Sequence, residues 1–352
     1  MVRPLYKCTP EFNKTNGHKG LWFDKFCDQW NDESWSLDTN KSEWAATVKG
    51  AAGNQSQLTE YRDRMLELIG DGDYLVFDTI SNLVSGLGRT NPIENGFVWH
   101  QTLGTPYIPG SSIKGAVRAW ARESGLDDQK IIELFGAENS SDKPSKGSVI
   151  FFDALPTKQC TIMVDVMTPH YGPWYQNGEV PGDWHSPTPI PFLSVKPGAS
   201  FLFLWKCKNK TDQDQVKNLV CDALLELGLG AKTSSGYGRF KPDDSETQNR
   251  KDVLDARAKQ KAEEAKLAGM KEWDRDFHEH GGNQVKLAKF IVTNFEGKSE
   301  DYKQGFVDCI LQEHKRKKLK EAFKDGGIAD KEISSKQLKQ AWDLIIKYLP
   351  EG

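Results

Sequence analysis

The order of periodic segments between residues 73 and 245 constrains this 352-residue chain more than any single motif in it. "DYLVFDTISNLV" reads as a strand, rich in β-branched and aromatic residues. "SSIKGAVRAWARESG" reads as a helix. Ile113, Ala116, Val117, Trp120 and Ala121 recur at steps of three and four and form one apolar stripe. Ser111 or Ser112 can cap this helix and Gly125 can end it. "DDQKIIELFG" is a short second helix. "GSVIFFDAL" and "CTIMVDVMT" read as a pair of strands, and "PFLSVKPGASFLFLWKC" as a hairpin turning at Pro197-Gly198. "DQDQVKNLVCDALLELG" is a helix with Val216, Leu219, Val220, Ala223, Leu224 and Leu227 on one face. "GYGRF" closes the region as a short strand.

Strand, helix, strands, helix, strand is the β-α-β-β-α-β order of a ferredoxin-like α+β domain with added hairpins. Such a sheet buries one face under its helices and leaves the other free to meet a partner, as in RNA-recognition (RRM-like) domains. Residues 1–72 read as a mostly helical N-terminal segment packed on this core. Residues 246–352 gain charge and lose proline, and read as a helical C-terminal extension. "KPDDSETQNRKD" is the expected linker between the two. Hydrophobic residues make up 37% of the chain and aromatics 11%, enough for a packed core. The formal charge of −3 means that any nucleic-acid binding must come from local basic patches. The six cysteines, Cys8, Cys27, Cys160, Cys207, Cys221 and Cys309, form no C-x-x-C pair, which argues against a zinc finger and for free thiols in a reducing cytoplasm. No apolar run is long enough to span a membrane, and no signal core opens the chain. The expectation is a cytoplasmic protein that uses no cofactor and no metal.

Two loops carry the chemistry. "GLGAKTSSGYGRF", residues 228–240, offers four glycines around hydroxyls, a lysine and an arginine. It is not a mononucleotide-binding P-loop. That motif needs G-x-x-x-x-G-K-[ST] between a strand and a following helix, whereas Ala231 separates Gly230 from Lys232 and the loop follows a helix. No dinucleotide fingerprint is present either. Glycines permit close backbone approach, and exposed amides, hydroxyls and a lysine suit phosphate oxygens. Gly230, Lys232, Thr233, Ser234, Ser235, Tyr237 and Arg239 are therefore RNA-backbone candidates, although a helix cap and turn would account for Gly228 and Gly230 alone. In "GTPYIPGSSIKGAVRAWAR", a Pro109-Gly110 turn delivers Ser111 and Ser112 to a helix N-terminus, an anion-attracting end, with Lys114, Arg118 and Arg122 in a basic stripe. Gly110, Ser111, Ser112, Lys114 and Arg118 join the candidates, with Arg89 and His100 from the glycine-rich connection between them.

"YIPGSSIKGAVRAW" together with "GLGAKTSSGYGRF" resembles the RAMP superfamily of CRISPR-associated RNA-binding proteins. "GLWFDKFCDQWN", "SGLGRTNPIENGFVWHQTLGTPYIPGSSIKG", "MTPHYGPWYQ" and "PGDWHSPTPIPFLSV" narrow the resemblance to the sixth-numbered subunit family of the type III-B (Cmr) effector, over roughly residues 17–241. The resemblance implies a subunit that holds CRISPR RNA near its 3′ end, between a repeated backbone subunit and a terminal RAMP subunit, in a complex that destroys matching target RNA. Contact with the small subunit is a further expectation. In such assemblies a loop aspartate of the backbone subunit cuts. The comparable connection here has Glu94 as its sole carboxylate, so no catalytic residue is assigned and the chain is expected not to be an enzyme.

Two other readings stand beside this one. Metal-independent RNA cleavage, known among RAMP relatives, would need a base and an acid. His18, His100, His170 and His185, with Tyr171 or Lys114, are the candidates, and they form no spacing signature. A protein scaffold without RNA contact is the other. The stretch 167–192, crowded with Pro, Gly, Trp and Tyr, could stack on bases, dock on a neighbouring subunit or pack over its own sheet. Trp174, Trp184 and His185 are its candidate contacts. The basic run "HKRKKLK", residues 314–320, reads as a solvated helix face.

Overall fold

The computed structural model describes residues 17–349 except 28, 30–32, 34–36, 38–40, 92, 138–143, 315, 326–327 and 329–331. The chain forms two compact units, Met1–Arg250 and Lys251–Gly352.

The first unit opens with α1 (Lys19–Lys25), α2 (Lys41–Ala46), the short β1 (Gly50–Ala52) and α3 (Gln55–Ile69). Then come β2 (Asp73–Thr79), α4 (Gly110–Glu123), α5 (Asp128–Phe135), β3 (Val149–Phe151), β4 (Leu155–Pro156), β5 (Cys160–Met167), α6 (Gly172–Asn177), β6 (Ile190–Val195), β7 (Ser200–Cys207), α7 (Gln213–Glu226) and β8 (Phe240–Pro242). The main sheet runs β3-β7-β2-β8 and is antiparallel where paired, with β4 also on β7. With β2 as first strand, β3 as second, β7 as third and β8 as fourth, this is the ferredoxin-like arrangement that the segment order predicts.

Two pairings differ from the sequence reading. β3 and β5 do not pair; β3 joins β7, while β5 joins β1 and β6 in a second, three-stranded sheet. Likewise β6 and β7 are not a hairpin. They flank the Pro197-Gly198 turn but enter different sheets. Each strand is apolar enough to suit several partners, and local spacing does not choose among them.

The apolar stripe of α4 is buried at Ile113, Val117 and Ala121, with Ala116 and Trp120 packed partly against the same core. On α7 the buried residues are Val216, Leu219, Val220, Ala223 and Leu224. Both helices share a core with Phe77, Phe201, Phe203, Trp205 and Phe240. Each of these large side chains contributes roughly 2–3 kcal/mol on leaving water. Phe23 of α1 and Trp44 of α2 belong to the same core, so the N-terminal segment is integral to the unit.

The opposite sheet face is not free. Val76, Leu202 and Leu204 alternate with the core residues, and they are buried too. α3 packs across β7 and β4, where Leu58 meets Leu155, the cross-strand neighbour of Leu202. The RRM-style open face is thus absent, because the sequence gives α3 an amphipathic pattern and the sheet's outer positions remain apolar.

The expected linker is structured as well. Its residues end β8 and begin α8 (Asp244–Ala268). Asp243 caps that helix: its carboxylate accepts the Glu246 amide at 2.9 Å, and these donors hold its pKa below the usual carboxylate range. The Thr247 hydroxyl of α8 accepts the Val76 amide at 3.0 Å and donates to the Asp243 carbonyl at 2.8 Å. α8 is polar all round, and the boundary between the two units falls within it, after Arg250.

The second unit contains α9 (Glu272–His280), α10 (Gln284–Asn294), α11 (Glu300–Glu313), α12 (Arg316–Leu319) and α13 (Ser335–Ile345). Its core gathers Phe277, Leu287, Ile291, Phe295, Phe306, Phe323 and Trp342. Within the basic run, Lys317 and Lys318 are exposed, whereas Leu319 is fully buried. Among the described residues no helix is long and apolar enough to cross a membrane.

Candidate nucleic-acid interface

The glycine-rich loop leaves α7 and returns as β8. Backbone bonds close its base: the Leu229 amide donates to the Gly238 carbonyl at 2.9 Å, the Gly238 amide to Asn82 at 2.8 Å, and the Ala231 amide to Val84 at 2.7 Å. Gly228, Gly230 and Gly238 all have positive φ, and a Cβ on them would lie 2.4, 2.2 and 1.8 Å from the carbonyl oxygens of Gly238, Val84 and Leu229. These glycines therefore let backbone pack on backbone. Gly236, at φ +87°, has open space around it. The helix-end reading of Gly228 and Gly230 accounts for part of the loop; the tip needs another reason.

The tip is a short 3₁₀ turn over Thr233–Ser235, entered through Lys232 in the left-handed region (φ 62°, ψ 29°). Among the described residues the consecutive amides of Lys232, Thr233 and Ser234 donate no hydrogen bond to the chain. Successive free amides in a turn of this kind make an anion-binding concavity. Ser234 and Ser235 are exposed. The Lys232 ammonium sits 5.5 Å from the Phe192 ring centre, a cation–π contact that steadies the side chain.

Arg239 and Tyr237 are used internally. The Arg239 guanidinium donates to the Glu226 and Thr233 carbonyls and so straps the tip to the end of α7. Tyr237 donates to Asp165 Oδ2 at 2.7 Å. Burial, with the Asp165 hydrogen bond and charge, pushes its phenol up to about 12. Asp165 also accepts from Asn82 at 3.1 Å. These two candidates thus shape the loop and do not project as free contacts.

α4 starts differently from the sequence reading. Its N-cap is Pro109, which offers no side-chain bond, and neither Ser111 nor Ser112 caps it. Asp153, in the β3–β4 turn, accepts the Gly110 amide at 2.7 Å, and the Ser112 amide is held by Pro109. A carboxylate already occupies this helix end, so its pull on a further anion is weakened. Gly110 is glycine for a packing reason: a Cβ would lie 2.6 Å from the Phe151 carbonyl oxygen. Ser111 and Ser112 are exposed, and Lys114 and Arg118 are half-buried.

The two loops nevertheless meet. A groove of about 630 Å³ is lined by Ser85–Gly88, by Ser112 and Ala116 of α4, and by Leu227–Ala231 and Thr233. Three backbone-rich segments converge there, with the hydroxyls of Ser112 and Thr233. Lys114, Arg118, Arg89 and Lys232 are not among the lining residues, so cationic side chains rim the groove at most. Arg89 is exposed, one residue beyond the lining glycines.

His100 lies elsewhere. Its ring is wedged edge-on between Tyr61 and Tyr107, and its Nδ1 accepts the Leu103 amide at 3.3 Å. Burial lowers its pKa, which favours the neutral ring. His18 likewise is engaged, its Nδ1 accepting the Leu21 amide at 2.9 Å. Glu94, at φ 75°, pairs with Lys41. Trp174, Trp184 and His185 sit in the 168–189 insertion, where both tryptophans are exposed and His185 Nε2 bonds the Val180 carbonyl at 3.0 Å. Sequence reasoning missed Asp153, Asp165, Asn82 and Phe192. Only Asp165 carried a signal, as a charge inside an apolar strand.

A family model described as the RAMP superfamily matches residues 76–241. The curated relative Cmr6 from Pyrococcus furiosus is 31% identical over 224 residues, covering 47% of this chain and 66% of that protein. Cmr6 from Saccharolobus solfataricus is 30% identical over 197 residues, covering 52% and 64%. The chain thus spans a little under two thirds of the length of either relative. Among solved structures, it is similar to a chain of a type III-B Cmr-beta complex bound to cognate target RNA, with 27% identity and a TM-score of 0.48 over 59% of this chain and 72% of that one. It is also similar to the crystal structure of Cmr6 from Pyrococcus furiosus, with 29% identity and a TM-score of 0.32 over 49% and 97%. The matched region runs from within β2 through α4 and α7 to the end of the glycine-rich loop, and over it the chain is similar to Cmr6-like, type III-B proteins of the RAMP superfamily.

Proposed function

We propose that this chain is a CRISPR RNA-binding subunit of a type III-B effector, holding the guide's backbone near its 3′ end and adjoining neighbouring RAMP subunits during target RNA interference. The observation that carries the reading is the groove where Ser85–Gly88, the start of α4 and the glycine-rich loop converge. It offers amides and hydroxyls, which grip phosphates without reading sequence. Lys232 would add a salt-dependent, sequence-independent contribution. Specificity for the target would then rest on base pairing by the guide.

The reading assigns no cleavage to this chain. In support, His100 Nδ1 already accepts the Leu103 amide, and the nearby Asp153 is committed to the Gly110 amide. Incubating the purified protein with end-labelled repeat RNA, with and without divalent metal, tests this; a discrete product lost in a His100→Ala variant would overturn it.

The binding reading is tested by co-expressing the tagged chain with its sibling subunits and sequencing the RNA recovered. Lys232→Ala combined with Lys114→Ala should lower RNA recovery equally for all guides and reduce the salt slope of binding by roughly one unit per lost contact. Undiminished RNA beside intact subunits would show that these positions are structural.

A further inference from the structure

From Gln159 to Val195 the chain contains no lysine and no arginine, but it does contain Asp165, Glu179 and Asp183. Within this stretch the 168–189 insertion carries a concentration of exposed apolar side chains: Tyr171, Trp174, Tyr175, Val180 and Trp184, the last at 74% exposure. Val166, at the end of β5, is exposed beside it. The insertion's backbone is nonetheless turned and bonded. The Gly178 amide closes α6 on the Trp174 carbonyl at 3.0 Å, the His185 amide bonds Gly182 at 3.1 Å, and Thr188 bonds Pro169 at 3.3 Å across the insertion's base. The Trp184 ring lies against Gly182 so closely that a Cβ there would be 2.3 Å away. The aromatic surfaces are therefore held out on a pre-shaped support, which lowers the ordering cost of contact.

Two occupants suit exposed aromatics: stacked bases or a protein. Single-strand-binding surfaces pair their stacking rings with cations that follow the phosphates. Here the sign is reversed, since Glu179 and Asp183 are exposed and no lysine or arginine accompanies them in this stretch. We propose that the 168–189 insertion is a protein-docking surface, taking a neighbouring effector subunit that presents an apolar pocket with a basic rim. Trp174 and Trp184 are its anchors, in keeping with the weight that tryptophan carries at interface centres. Asp183 and Glu179 set its charge preference. This rests on the reading of the chain as an effector subunit.

The test co-expresses the tagged full chain with its sibling subunits. It compares wild type, Trp174→Ala with Trp184→Ala, and Glu179→Lys with Asp183→Lys. Recovery of siblings is measured by size-exclusion chromatography, and RNA contacts are mapped by ultraviolet crosslinking in the wild-type assembly. Because these side chains are exposed, both variants should keep the wild-type thermal transition. The expected result is a tenfold or greater loss of siblings with the tryptophan pair, several-fold with the charge pair, and no RNA crosslink within 168–189. Crosslinks on Trp174, Tyr175 or Trp184 would overturn the proposal in favour of base stacking. So would charge reversal that strengthens RNA retention, or siblings that remain with both variants. If wild type itself recruits neither siblings nor RNA, the subunit reading fails, and the docking proposal falls with it.

Discussion

Gly238→Ala and Gly236→Ala form a matched pair that separates the two roles of glycine in the loop. Both positions have positive φ, +66° and +87°, so alanine costs about 1 kcal/mol at either from backbone conformation alone. At Gly236 nothing lies within 4 Å of the new methyl. At Gly238 the methyl would sit 1.8 Å from the Leu229 carbonyl oxygen, while real contacts are not closer than 3.0 Å. The backbone must then shift by roughly 1 Å, breaking the Leu229–Gly238 bond and weakening Gly238–Asn82, at about 1 kcal/mol each. The total for Gly238→Ala is about 3–4 kcal/mol. For a unit of this size 1 kcal/mol moves a thermal transition by about 2–4 °C. Gly238→Ala should thus lower the first unit's transition by about 6–16 °C, and Gly236→Ala by about 2–4 °C. The assay is thermal unfolding of the full chain, followed by near-ultraviolet circular dichroism. Equal shifts would refute the packing argument. If the tip grips phosphate through close backbone approach, Gly236→Ala should still lower RNA recovery in the co-expressed complex despite its small thermal cost.

Three further outcomes follow from the geometry. Leu204→Asp should destabilise the first unit by about 3 kcal/mol or more, read as a shift in the urea midpoint, since it places a charge on the sheet face under α3. A free face would tolerate it. Arg239→Ala should cost about 1–2 kcal/mol through the lost carbonyl bonds, and Arg239→Lys should not restore it, because one ammonium does not reproduce the fork to Glu226 and Thr233. His100 has a pKa below its ordinary 6.5, so the unfolded chain takes up its proton first as pH falls. Its contribution to stability is present above about pH 6.5 and is lost as pH drops through the folded value. His100→Phe should flatten that acid-side loss in urea titrations at pH 5–7.

What could be read from the residues was what local spacing controls. The stripes of α4 and α7 follow from three- and four-residue steps, and the segment order led to the right main-sheet topology. Pairing was misread where the choice was non-local. β5 has the composition of a main-sheet strand, but it pairs with β1, a three-residue strand too short to recognise. The sheet's second face reads as free for a partner because nothing local ties Leu58 of α3 to Leu155. In the loop, the glycine spacing was visible but its cause was not, because Val84 and Asn82 lie far upstream. Asp153 was invisible for the same reason: its role depends on the Ile108–Ala154 bridge that brings it to Gly110.

The pairing of β2 also sets when this unit can fold. Phe77 lies opposite Phe201 on one side and Pro242 on the other, so a ribosome must deliver most of the first unit before its central strand has any neighbour. Until then Val76 and Phe77 remain apolar and unpaired on a nascent chain, and helices such as α4 form first by local contacts. The loop that closes last in synthesis, 228–239, is also the one whose backbone bonds to Asn82 and Val84 lock the early residues in place. Its completion adds the last links between the earliest and the latest residues of the domain, and chains ended before it should hold their first strand less firmly.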